Sequence, residues 1–212
     1  MITATDASKR NLEICSLAPV VPVLVVEDVS SAFDLGTALV AGGLPALEVT
    51  LRTDGALDVI AEMARIKGGV VGAGTLLTPQ DVKDAKAAGA QFGVSPGATD
   101  ALIGACEAEG LPLLAGAATA SESMKLLERG YSVQKFFPAE ASGGAKALGS
   151  LASPLPQITF CPTGGISPKN ANDYLSLPNV RCVGGSWVAP KELVAAKDWD
   201  AIEALARTAS QL

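Results

Sequence analysis

The sequence predicts an α/β fold, a single (β/α)8 TIM barrel over residues 1–212 with an additional N-terminal helix, and three observations carry that prediction. First, short β-branched runs alternate with Ala/Leu-rich stretches eight times along 212 residues, a length that such barrels occupy as one unit. Second, the chain is 49% hydrophobic but only 4% aromatic, so its core is filled by Ala, Val, Leu and Ile, as in a parallel sheet covered by helices. Third, no dinucleotide glycine signature follows the first strand after Glu27, where an open doubly wound sheet would more often carry one.

The elements follow in order. Residues 5–17 read as a short amphipathic helix, lacking the basic flank and apolar run of an export signal; the barrel then spans 19–212. Strands are predicted at VVPVLVVE (20–27), ALEVTL (46–51), VVGAGTL (70–76), QFGVSPG (91–97), LPLLAGAA (111–118), VQKFFPA (133–139), ITFCPTGG (158–165) and VRCVGGS (180–186). Helix starts are signalled by Asp28 and Ser30, by Thr78-Pro79, by Thr99 and by Ser167-Pro168. Helix stops are signalled by Gly42, Gly89, Gly110 and Gly130. Nothing resembles an interdomain linker.

Composition also limits function. A formal net charge of -6 without clustered Lys and Arg argues against a nucleic-acid partner. No apolar stretch approaches the roughly 20 residues that span a bilayer, so no membrane partner and a cytoplasmic location are expected. The chain has no histidine, and Cys15, Cys106, Cys161 and Cys182 show no CxxC spacing; neither a metal site nor a disulfide is expected, and the cysteines read as small buried hydrophobes. Without histidine, proton transfer falls to carboxylate, lysine, tyrosine or water.

Barrels place their chemistry at the C-terminal ends of strands, which selects the residues to weigh. Strand two ends with Glu48 among apolar neighbours and Arg52 four positions on, suited to a Glu48–Arg52 ion pair, to an ion pair with a neighbouring strand, or to a proton-shuttling carboxylate. Strand three ends in Gly72-Ala73-Gly74-Thr75, where small residues allow close approach of a ligand or simply tight packing. Strand six carries Lys135 ahead of Phe136, Phe137 and Pro138; a lysine in an interior strand with such neighbours is placed to attack a carbonyl. Strands seven and eight end in Thr163-Gly164-Gly165 and Gly184-Gly185-Ser186, the two positions where barrel loops bind phosphate through backbone N–H groups beside a short helix N-terminus.

Together the segments PVVPVLVVEDV, ALVAGGLPALEVTLRT, VGAGTLLTP, GAQFGVSPG, KFFPAEASGG, FCPTGGISP and VGGSWVAP resemble the 2-keto-3-deoxy-6-phosphogluconate aldolases, the group that also handles 4-hydroxy-2-oxoglutarate, from about Pro19 to Pro190. The resemblance implies a homotrimeric lyase of the Entner–Doudoroff pathway, with no cofactor and no metal, acting on a small-molecule 2-keto acid phosphate. It also implies Lys135 as the Schiff-base residue, Glu48 as proton shuttle, Arg52 and Thr75 on the substrate carboxylate, and Gly164, Gly165, Gly185 and Ser186 on the phosphate. Pro96, Phe137 and Thr163 complete the expected pocket. GAATAS, within Ala115–Ser123, replaces a more usual Gly-Ile/Val-x-Thr pattern and bears on the pocket wall. Two other readings are a phosphate-binding isomerase or synthase barrel, which shares the glycine loops without a covalent role for Lys135, and a non-catalytic sugar-phosphate binding protein.

Overall fold

A computed structural model describes residues 1–212. Eight parallel strands, β1 (Val20–Leu24), β2 (Ala46–Thr50), β3 (Val70–Gly74), β4 (Phe92–Val94), β5 (Leu113–Ala117), β6 (Val133–Phe136), β7 (Thr159–Pro162) and β8 (Val183–Gly185), pair in sequence order, and β1 pairs with β8. Bridges Thr163↔Gly184 and Phe160↔Val180 join the seventh strand to the eighth and close the ring. The outer layer is α2 (Ala32–Ala41), α3 (Ala56–Met63), α4 (Pro79–Ala87), α5 (Asp100–Glu109), α6 (Ala120–Glu128), α7 (Gly144–Ser150) and α8 (Ala171–Leu175), followed by α9 (Lys191–Ala196) and α10 (Trp199–Ala209); α1 (Ala4–Cys15) precedes the barrel. The TIM-barrel expectation holds, extra N-terminal helix included.

All eight predicted strands are present, and each ladder ends earlier than its apolar run. After β3 and β7 the reason lies in the backbone beyond the ends: Thr75 turns to φ +63, and Gly164 and Gly165 to +103 and +78, conformations that leave the sheet. Helix starts follow the predicted chemistry at Thr78, whose side chain forms a capping box with Asp81, and at Thr99, which accepts from Leu102 N. Two starts differ. Asp28 caps a 3-10 turn at Val29–Ser31 rather than α2 itself, and Ser167 lies in a turn, donating its backbone N–H to Asn170 Oδ1 at 2.7 Å, so that α8 begins only at Ala171. Of the four stop glycines, Gly89, Gly110 and Gly130 take positive φ; after α2 the left-handed residue is Gly43 instead. Gly42 serves packing, because a Cβ there would lie 2.4 Å from the Ala206 methyl of α10.

Alternation along the strands divides the core. Forty-four residues pack between strands and helices, while Val21, Ala46, Phe92, Val94, Leu114, Val133, Cys161 and Cys182 join Ile14 and Cys15 of α1 in a separate cluster inside the barrel. α1 therefore caps the N-terminal end of the ring, tied to it by Ser8, whose Oγ donates to Gly130 O at 3.1 Å and accepts from Ser132 N at 3.0 Å. That leaves the opposite mouth, where the strands' C-terminal ends converge, for function. No helix is long and apolar enough to cross a membrane. Ile14→Ala is expected to remove about 2–5 kcal/mol of stability by opening a cavity in this floor, seen as a lower urea midpoint at unchanged slope; an unchanged midpoint would show that α1 does not seal the barrel.

Candidate active site

Inward-facing positions alternate along each strand, and this places Glu48 from β2 and Lys135 from β6 inside the barrel. Both are buried, at 3% and 4% exposure, and Lys135 Nζ donates to Glu48 Oε1 at 3.1 Å. The ammonium also lies 5.3 Å from the centroid of the Phe137 ring, an attraction that adds to the pair without desolvating it further. Either charge alone at this depth would cost several kcal/mol, so each justifies the other's burial. The Glu48–Arg52 pairing open from sequence does not occur: Arg52 Nε donates instead to Thr75 Oγ1 at 3.0 Å. Thr75 is held for that contact by its left-handed backbone at φ +63.

Glycine makes this geometry possible. A Cβ on Gly74 would lie 2.3 Å from Glu48 Oε1, and one on Gly184 would lie 2.2 Å from Thr163 Oγ1. Gly72 clears the Phe92 ring, so the small residues of β3 make room for neighbouring side chains. Thr163 is buried at 6% exposure and its hydroxyl has no protein partner.

Arg52, Phe137, Thr163, Gly164, Gly165, Gly185 and Ser186 come together around one cavity of about 190 Å³. Lys135, Glu48 and Thr75 are not on its lining, and neither is Pro96. With Gly116 it borders a larger cavity of about 550 Å³ between α5 and α6, and Phe137 forms part of the wall of both. The N–H groups of Gly165 and Ser186 donate to no backbone or side-chain acceptor of the chain. The short helix expected beside them is displaced, since Ser186 O instead accepts from Ala189 N in a turn and α9 starts at Lys191. The mouth thus offers a lysine in contact with a carboxylate, a guanidinium held by a threonine hydroxyl, and a rim of free N–H donors.

Comparison with known proteins gives the family. The profile of the KDPG and KHG aldolases matches residues 12–205. The chain belongs to that family. It is 52% identical over 198 residues to a 2-dehydro-3-deoxy-phosphogluconate aldolase of Pseudoalteromonas atlantica, spanning 93% of this chain and 92% of that one. It is 49% identical to the KHG/KDPG aldolase of Escherichia coli, with 92% of each covered. Among solved structures, the KDPG aldolase of Legionella pneumophila, with pyruvate captured as a covalent carbinolamine, superposes at a TM-score of 0.91 and 43% identity, over 94% of this chain and 97% of that one.

Sequence reasoning named the two central residues but missed three features beside them. Phe137 faces the ammonium, Gly74 clears the carboxylate, and Tyr174 donates to Glu140 behind the glycine loop. Only the last had no local signal, because its partners are 34 residues apart. Gly74→Ala is expected to fold with Glu48 displaced from Lys135, costing about 3 kcal/mol or more. Gly97→Ala, whose Cβ meets nothing within 4 Å, should change stability by no more than about 0.5 kcal/mol. Equal urea midpoints for the two variants would refute the packing argument.

Proposed function

We propose that this chain is a class I aldolase that cleaves 2-keto-3-deoxy-6-phosphogluconate to pyruvate and glyceraldehyde 3-phosphate, and 4-hydroxy-2-oxoglutarate to pyruvate and glyoxylate, through an imine on Lys135. The observation that carries this reading is the buried contact of 3.1 Å between Lys135 Nζ and Glu48 Oε1. Glu48 is placed to take the ammonium proton, which frees the amine's lone pair for attack on the substrate C2 ketone. Glu48 returns that proton to the carbinolamine hydroxyl, which leaves as water and gives a protonated imine. That imine is the electron sink, so the carbanion needs no Lewis acid. Glu48, directly or through a water, then accepts the C4 hydroxyl proton as the C3–C4 bond breaks and its electrons settle in an enamine. The aldehyde leaves, C3 is protonated, and hydrolysis releases pyruvate and the amine.

Binding follows from charge. Arg52, oriented by Thr75, is assigned to the substrate carboxylate, and the free N–H groups of Gly165 and Ser186 with the Ser186 hydroxyl, on the loops that carry Gly164 and Gly185, to the phosphate. Phe137 and Thr163 form the wall between these ends, and Pro96 the outer wall behind Phe137. The same reading takes the enzyme to be a cytoplasmic homotrimer; sedimentation would give three chains per particle.

Borohydride added with pyruvate is expected to fix a three-carbon adduct on Lys135, and none in Lys135→Ala. Peptide mass spectrometry that finds it on Lys125 or Lys146 instead would remove the scheme, and an enzyme turning over without any trapping would favour a barrel isomerase. Glu48→Gln should keep trapping while kcat falls by about 10²–10⁴. For the phosphate end, Ser186→Ala should lower kcat/KM for the phosphorylated substrate by roughly tenfold, as loss of one charge-assisted hydrogen bond implies. It should leave 4-hydroxy-2-oxoglutarate unaffected; an equal loss on both substrates would place Ser186 elsewhere in the site.

A further inference from the structure

The floor of the barrel holds a second group of reactive side chains that the aldol chemistry does not use. Cys15 ends α1, Cys161 lies in β7 and Cys182 immediately precedes β8, yet their sulfurs all lie within 4.8 Å of one another. All three are free thiols, at 2%, 2% and 0% exposure. As a small hydrophobe each is unremarkable. Convergence of three thiols from three separate elements is a different matter, and the fourth cysteine, Cys106, packs in the outer layer away from them.

We propose that Cys15, Cys161 and Cys182 form a three-thiol site that captures a trivalent, thiol-seeking oxyacid of the arsenite type. Charge decides the ligand class. Three thiolates on a monovalent or divalent metal leave net negative charge on an apolar floor made of Ile14, Val21, Ala46 and Val133, which is costly. Zinc also prefers a fourth donor, and the nearest carboxylate, Glu48, is already held by Lys135. A trivalent centre with three thiolates is neutral. The exchange is a condensation: As(OH)₃ and three thiols give As(SR)₃ and three waters. Three As–O bonds break, three As–S bonds form, no oxidation state changes and no charge is left behind.

Reactivity and access fit the same step. Cys161 is held well below the usual thiol range, chiefly by its interactions with Cys15 and then Cys182, with Lys135 nearby adding to the effect. Cys15 and Cys182 are pushed up, Cys15 chiefly by Cys161, and Cys182 chiefly by Cys15 and then Cys161. Each of the three thiols gives up its proton to an arsenic-bound hydroxyl as its As–S bond forms, so that three waters leave. A neutral oxyacid reaches them without shedding a charged hydration shell. Its way in is an outward-opening cavity of about 370 Å³ whose wall includes Cys15, Pro19, Arg181 and the C-terminal Ser210 to Leu212. Bonding requires the sulfurs to draw closer than 4.8 Å, and Cys15, on the last residue of its helix where the turn frays most easily, supplies that movement. Once formed, the bonds staple α1 to β7 and β8.

The test uses the full chain, reduced and kept free of oxygen, with sodium arsenite as the probe. Native mass spectrometry should show one adduct per chain equal to arsenic less three hydrogens, and the melting temperature should rise with arsenite as for any ligand of the folded state. Cys15→Ser, Cys161→Ser and Cys182→Ser should each lose the three-sulfur adduct, while Cys106→Ser keeps it. Should a serine variant fail to fold, X-ray absorption on the unsubstituted protein decides, three sulfurs and no oxygen around arsenic being the expected shell. The proposal is overturned by no adduct, by one that retains a hydroxyl and hence only two thiols, by a three-sulfur adduct that survives in any of the three variants, or by copper(I) or zinc(II) binding where arsenite does not. None of these readouts measures aldol cleavage, so their failure leaves the reading of Lys135 untouched.

Discussion

The contact between Lys135 and Glu48 is the constraint from which the rest of the mouth follows. β2 and β6 stand on opposite sides of an eight-stranded ring, and a barrel of that size has an interior just wide enough for side chains to fill. Two long charged side chains meeting across it leave little room for anything else in their layer. The neighbouring inward positions are accordingly glycine: Gly74 beside the carboxylate, Gly116 against the Pro96 carbonyl and Gly184 against the Thr163 hydroxyl. The composition, poor in aromatic residues and with 22 glycines, is therefore partly a consequence of keeping an ion pair inside a barrel. The energetic logic runs the same way. The pair is weak evidence for stability, since two apolar residues could fill the space; its burial at that cost points to chemistry.

Much of this was legible in the chain, because it depends on local pattern. β-branched runs, caps such as Thr78 and Thr99, and the position of Lys135 ahead of two phenylalanines all concern residues within a few positions of one another. What escaped was long-range choice. Arg52 stands four residues from Glu48 and Lys135 eighty-seven from it, so sequence left the nearer partner open, and strand register selected the farther one. Gly72 and Gly74 read equally well as room for a ligand or for a side chain until the opposite strands were in place. At Ser167, proline next door suggested a helix start, but the Asn170 side chain took the Ser167 N–H and delayed the helix by a turn. The three thiols were legible one at a time as buried residues and not as a group, since cysteines at positions 15, 161 and 182 match no short metal motif.

The two ends of the barrel show how one cylinder serves two demands. At the floor, a helix is laid over the ring and the side chains of the inner cluster are apolar apart from the thiols, so this end contributes burial. At the mouth, the strands stop early, and the backbone leaves the ladder at Thr75, Gly164 and Gly165 in left-handed conformations that cost stability wherever the residue is not glycine. Thr75 accepts that cost for its hydrogen bond with Arg52.

The loop after β7 carries the logic furthest. Its carbonyls are consumed inward: Ala139 N donates to Thr163 O at 2.8 Å and Glu140 N to Gly164 O at 3.1 Å. Glu140 is fixed in turn by Tyr174, whose hydroxyl is pushed above the usual phenol range by burial and by that carboxylate. Gly165 has no side chain because a Cβ there would meet the Glu140 stem at 2.6 Å. With its carbonyls engaged and its N–H group at Gly165 free, the loop's backbone turns a donor toward the cavity. A backbone so arranged favours an anion and offers nothing to a cation, which is how a chain of formal net charge -6 can hold a negatively charged group without gathering lysines around it.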